Sequence, residues 1–211
     1  MTAPTLVADR VLRFDRPERN VHWFSAVLVG VCLLTAAALY FPAIAGIIGR
    51  RTVVKDIHVV SGLLLPLPFL VVRLGPFLSQ LAMDVRRLNR FDHHDRRWLR
   101  SFGRDPFVEN GKFNAGQKLN AAFTLGAVLL LLGTGSIMRW FGPFPLTWRT
   151  GATFVHDWTS FALLIVLVGH VGKALADKEA LGGMTGGTVS RKWAKRHAPR
   201  WLKEVTTAPK R

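Results

Sequence analysis

Cysteine is almost absent from this chain. One residue, Cys32, stands among 211, so no internal disulfide, Cys-rich metal site or iron–sulfur cluster can form within it. The Cys-x-x-Cys-His signature is missing too, which excludes covalent attachment of a c-type haem by that route. Cys32 lies inside an apolar run and reads as a small apolar filler. Acidic residues are also scarce: 13 Asp and Glu stand against 29 Lys and Arg, a net charge of +16. No low-complexity segment or internal repeat is apparent. There is no room for a second, soluble domain, so residues 1–211 read as a single membrane domain.

What is there is apolar and unevenly spread. Hydrophobic residues make up 49% of the chain, and they gather in runs over 21–41, 57–77, 117–138 and 152–172. About 20 helical residues cross a hydrocarbon core of about 30 Å, so these runs predict an all-α membrane protein, a bundle of four transmembrane helices. The small residues Ala43, Ile44 and Ala45 resemble a signal-peptidase site. The run before them is too long for a signal h-region of about 7–15 residues, and it reads as a retained helix. Pro66 and Pro68 invite a kink in the second run. MDVRRLNRF, in the middle loop, reads as a short interfacial helix.

The basic residues sort by loop. Four precede the first run, nine lie between the second and third, and ten fall in the tail from residue 173. The remaining two connections hold five, and Arg73 sits within the second run. By the positive-inside rule, both termini and the middle loop face the cytoplasm, at the inner membrane of a bacterium. The charge then follows topology and anionic lipid rather than nucleic acid. Trp140, Trp148 and Trp158 fall near the outer interface, where tryptophan is enriched. In the tail, Trp193 and Trp201 alternate with basic residues, which predicts an interfacial anchor or a lid over the cytoplasmic face.

Of seven histidines, His93, His94 and His197 sit in charged segments and read as solvated. His22, His58, His156 and His170 lie in or beside apolar helices, where an ionisable group is costly and usually has a task. Depth sorts them into two pairs, His22 with His170 on the inside and His58 with His156 on the outside. His156 and His170 are 14 residues apart, a rise of about 21 Å and a rotation only about 40° short of four turns. They share a helix face at two depths. Two stacked metallo-tetrapyrroles, each held by two imidazoles, need that arrangement. Bis-imidazole ligation suits low-spin haem that passes single electrons. Arg73 is placed to meet a haem propionate or to snorkel to the headgroups.

RFDRPERNVHW at 13–23, GKFNAGQK at 111–118, the two histidines of the fourth run and GTVSRKWAKRHAPRW at 187–201 resemble the gamma subunit of membrane-bound formate dehydrogenase, a di-haem cytochrome b. The likeness covers roughly 10–205. It implies His58 and His156 as ligands of an outer haem b and His22 and His170 as ligands of an inner one. It further implies quinone reduction (menaquinone or ubiquinone) beside the inner haem, with Asn114, Gln117 and His170 contributing. The implied partners are an iron–sulfur subunit and a molybdenum- or tungsten-containing catalytic subunit, which carries the formate chemistry. The first motif is shared with cytochromes b of other quinone-linked oxidoreductases such as hydrogenases, so another electron donor stays open. A haem-free transporter or a plain membrane anchor is the rival from a different class. A histidine relay would want acidic partners within the spans, and these runs hold almost none.

Overall fold

The computed structural model of the chain describes residues 9–68, 70, 78–140 and 142–207. It is mostly helical. A short strand β1 (Arg10–Leu12) precedes α1 (Arg16–Tyr40), α2 (Pro42–Ile48) and α3 (Arg51–Leu64). Then come α4 (Leu78–Asn89), α5 (His93–Ser101), α6 (Ala115–Arg139) and α7 (Leu146–Ala176). The tail forms α8 (Lys178–Gly186), β2 (Thr188–Ser190), α9 (Arg191–His197) and α10 (Pro199–Thr207). The all-α expectation needs one amendment, because β1 and β2 pair antiparallel with Val11 opposite Val189.

Among the described residues, three helices are long and apolar enough to cross a membrane: α1, α6 and α7. Helix α3 covers the first part of the second expected span and ends at Leu64. Pro66 has no N–H to continue the ladder, the Leu65 N–H turns to the Gly62 carbonyl at 3.2 Å, and the Leu70 N–H bonds the Pro66 carbonyl at 3.1 Å. The far end of that span, with Arg73, lies outside the described residues.

The chain divides into two compact units. One comprises Met1–Arg19, Phe77–Phe123 and His170–Arg211; the other comprises Asn20–Pro76 and Thr124–Gly169. In the first unit the helix starts are closed by side chains. Asp15 and Glu18 exchange backbone and carboxylate bonds at 2.8 and 2.9 Å, a reciprocal capping box. Asp92 and Asp95 do the same at 2.9 and 3.1 Å. Asp177 caps α8 and Ser190 caps α9.

The tail tryptophans, expected at an interface or in a lid, have partners within the first unit. Trp201 is 2% exposed and packs with Val11, Val189, Ala194 and Ala198. The Trp193 indole N–H donates to the Asp177 carboxylate at 3.0 Å, and the Arg13 guanidinium lies 4.4 Å over its ring. Burial pulls Arg13 down to about 10, although Asp177 and Asp84 support its charge. Gly187 makes the strand junction possible. Its φ is +92°, and a Cβ there would sit 2.9 Å from the Phe14 carbonyl oxygen.

The second unit is held differently. Its short helices α2 and α3 start at Phe41 and Arg50 with no side-chain cap. Its long helices leave Leu34, Leu129 and Val168 well exposed. Apolar surface of that extent on long helices needs a lipid cover, since hydrocarbon satisfies it and water does not.

Candidate metal and cofactor centre

The second unit brings together His58 of α3 and His156 of α7. Their ring centroids lie 6.2 Å apart, with the planes inclined at 61°. Both rings are tied at Nδ1. For His58 the partners are Thr35 Oγ1 at 3.0 Å and the Cys32 carbonyl at 3.1 Å, both on α1. For His156 the partner is Thr134 Oγ1 on α6, also at 3.0 Å. No described group engages either Nε2.

The rings open onto a cavity lined by Cys32, Gly62, Gly135, Ser136 and Ser160, with Arg139 among its lining residues. With its open side included it spans about 780 Å³. The small side chains matter. A Cβ on Gly135 would stand 3.3 Å from His156 Cε1, so only glycine lets α6 approach the ring without displacing it.

These residues fit a metallo-tetrapyrrole. A metal between two imidazoles at about 2.0–2.1 Å from each nitrogen, with about 1.1 Å more to each ring centre, sets the centroids about 6.2–6.4 Å apart. The observed 6.2 Å matches. Each Nδ1 is committed to a hydrogen bond, the usual outer-shell tie of a metal-ligating histidine, which leaves Nε2 to ligate. A bare ion would need more protein ligands. Among the described residues no group of three or more His, Cys, Asp or Glu is placed to hold one. A macrocycle brings its own four nitrogens.

The other expected site residues fall as follows. His22 is on α1 in the second unit, its ring edge-on to Trp23 at 5.4 Å. His170 is on α7, in the part of that helix assigned to the first unit. Asn114 and Gln117 form the capping box of α6: the Gln117 N–H donates to Asn114 Oδ1 at 2.9 Å, and the Asn114 N–H donates to Gln117 Oε1 at 3.0 Å. Their carbonyl oxygens are thereby used, while both amide NH2 groups stay available as donors.

The rest of GKFNAGQK is structural. Lys112 is 3% exposed. Its ammonium bonds Glu18 at 3.2 Å and also bonds Asp84. Lys118 bonds Asp95 at 2.6 Å and the Arg90 carbonyl at 2.8 Å. Gly116 faces the Trp98 ring. Thr35 and Thr134 are the site residues that the sequence did not reveal. The available signal was a hydroxyl in an apolar run, 23 or 22 residues before a membrane histidine.

Two half-buried imidazoles facing a cavity between apolar helices define a membrane haem protein, and residues 13–187 match prokaryotic cytochrome b561. The chain belongs to that family, and family membership implies b-type haem. Its relatives include the cytochrome b556 subunit of formate dehydrogenase from Haemophilus influenzae, 30% identical over 92% of this chain and 83% of that one. The formate dehydrogenase cytochrome b556(fdo) subunit of Escherichia coli is 27% identical over 93% of this chain and 94% of its own length. The nitrate-inducible b556(Fdn) subunit of the same organism is also 27% identical, over 94% and 93%.

Proposed function

We propose that this chain is the membrane cytochrome b subunit of a formate dehydrogenase complex. It takes electrons from an iron–sulfur subunit through two b-type haems and delivers them to quinone. Formate oxidation belongs to a separate catalytic subunit. The relatives named for that complex support the role, and one observation carries the chemistry: His58 and His156 face each other at 6.2 Å with both Nδ1 atoms tied.

In this reading His58 and His156 hold the outer haem. His22 and His170 hold the inner one, an assignment that rests on their depth in the sequence and on the resemblance. Haem with two imidazole ligands supplies one-electron transfer with no open position for dioxygen. The protein's own part is to hold, orient and insulate. Nδ1 donation orients each imidazole. The apolar lining keeps water from the rings, and Arg139 at the cavity offers positive charge for a haem carboxylate. Asn114 and Gln117 direct amide N–H donors at quinone oxygens, on the side where Lys and Arg concentrate. The reading includes four spans with both termini cytoplasmic. Electrons then move inward against a negative-inside potential, at about 2.3 kcal/mol per 100 mV, which the redox drop from the donor must supply.

A dithionite-reduced minus oxidised spectrum with a pyridine haemochrome count tests this. Two b-type haems per chain, falling to one in His58→Ala, are expected. Folded protein made with haem available and carrying none would sink the reading and revive the anchor or transporter.

A further inference from the structure

Thr35 and Thr134 occupy matched positions on different helices. The Thr35 hydroxyl lies 2.7 Å from the Val31 carbonyl, four residues back, and 3.0 Å from that of Cys32. The Thr134 hydroxyl lies 2.7 Å from the Leu130 carbonyl and 3.3 Å from that of Leu131. A hydroxyl has one proton, and in each case it is committed to its own helix. Toward the imidazole, then, the oxygen can only accept. Nδ1 of His58 and of His156 must carry hydrogen, which leaves Nε2 as the lone-pair atom in both rings.

His58 Nδ1 also meets the carbonyl of Cys32, three residues before Thr35. One helix of each pair thus offers an accepting hydroxyl to a histidine of another helix, and for His58 the carbonyl one turn before it as well. Simple packing would not require the hydroxyl, because a helix threonine satisfies itself on its i−4 carbonyl wherever it stands.

We propose that Thr35 and Thr134 are paired positioning residues: each hydroxyl fixes the tautomer and ring plane of one axial histidine, and together they set the inclination of the two imidazoles across the outer haem. This rests on the haem reading of His58 and His156. The 61° between the ring planes is the quantity they control. Low-spin ferric haem with steeply inclined imidazole planes gives an electron paramagnetic resonance signal with a large maximal g value, and near-parallel planes give a rhombic one. Accepting from Nδ1–H also pushes electron density onto Nε2. That favours the ferric state and lowers the midpoint potential.

The test uses Thr35→Val, Thr134→Val and the double variant, with Thr→Ser at each position as control. Valine keeps the shape and deletes the hydroxyl, while the Cys32 carbonyl still accepts from His58. Loss of such an outer contact typically changes metal affinity 10–100-fold. A ten-fold preferential loss for the ferric state is about 59 mV for one electron. The outer haem should therefore titrate higher by about that amount per variant, with a shifted maximal g value, and serine should restore both. Two haems per chain with g values and potentials unchanged in the double valine variant would overturn the proposal. So would a change that serine fails to restore. The haem reading fails separately: wild-type protein whose haem count is unaffected by His58→Ala would remove the site itself.

Discussion

The two units of this molecule solve the problem of buried polar groups in opposite ways. In the first, charge is buried and paired. Glu18, Lys112, Asp84, Arg87 and Glu204 form one chain of ion pairs that ties the start of α1, the loop before α6, α4 and α10 together. In the second, the groups that tie the two central imidazoles are uncharged: two hydroxyls and a backbone carbonyl. The difference follows from solvent. A unit whose surface is basic and wet can close ion pairs as it folds. A unit whose helices face lipid has no such recourse, and each charge left inside costs several kcal/mol. Neutral hydrogen bonds that leave one lone pair free on each ring are what a ligand site there can use.

The comparison breaks most sharply at Lys112. Its side chain is fully buried, and Lys112→Met would leave Glu18 and Asp84 buried, with Arg87 still bonded to Asp84. Removing one partner of a buried pair typically costs about 3–5 kcal/mol. The expected result is a large fall in the thermal midpoint in detergent, with haem bound at His58 and His156 in whatever protein stays folded. If Lys112→Met were as stable as wild type, the view of the first unit as a charge-locked body would be wrong.

That contrast also explains what was legible beforehand. His58 and His156 could be read as neighbours from depth alone, because an imidazole in an apolar helix is rare enough to stand out. Thr35 and Thr134 could not, because a threonine that bonds its own i−4 carbonyl looks the same in sequence whether or not a ring leans on it. GKFNAGQK stood out as a motif but not for its reasons. Lys112 finds Glu18 across 94 residues, and Gly116 answers to Trp98, contacts that no local pattern encodes. Asn114 and Gln117 read toward a ligand in the sequence, and their oxygens also cap α6. The end of α3 before Pro66 was readable from proline chemistry, while the β1–β2 pairing was not, since its strands are three residues each and 178 residues apart by Arg10 and Thr188.

Glycines sharpen the comparison at a smaller scale. A Cβ on Gly116 would lie 2.6 Å from Trp98 Cη2, and one on Gly103 would lie 2.8 Å from the same ring. The indole is clamped between two glycines. Gly116→Ala should cost about 1–3 kcal/mol by overpacking, relieved by Trp98→Phe in a double-mutant cycle. Gly126 of α6, in the second unit, has nothing within 4 Å of its would-be Cβ. Gly126→Ala should be neutral or stabilising by up to about 1 kcal/mol from helix propensity. Equal losses at the two positions would show that glycine serves both units alike.

The smallest effect lies at the edge of the charged unit, where Arg200 of α10 bonds Asp92 at 2.8 Å. Burial alone would raise the Asp92 carboxyl, but the Arg200 hydrogen bond and the Asp95 N–H outweigh it and hold the group well below the usual carboxylate range. A depressed folded pKa stabilises above the unfolded value, about 3.9, and that contribution is lost as pH falls through the folded one. Docking of α10 should therefore be undiminished at neutral pH and weaken progressively below about pH 4. Both side chains are about one-third exposed, 35% and 31%, so solvent screening limits the pair to about 1 kcal/mol or less. Asp92→Asn keeps the cap of α5 and removes the charge. Amide exchange along α10 should then rise by at most about five-fold at pH 7, and the difference from wild type should vanish in strong acid. An exchange rate that is the same in both proteins at every pH would mean that α10 is held by Trp201 and its apolar neighbours alone, and that charge locks only the interior of this unit.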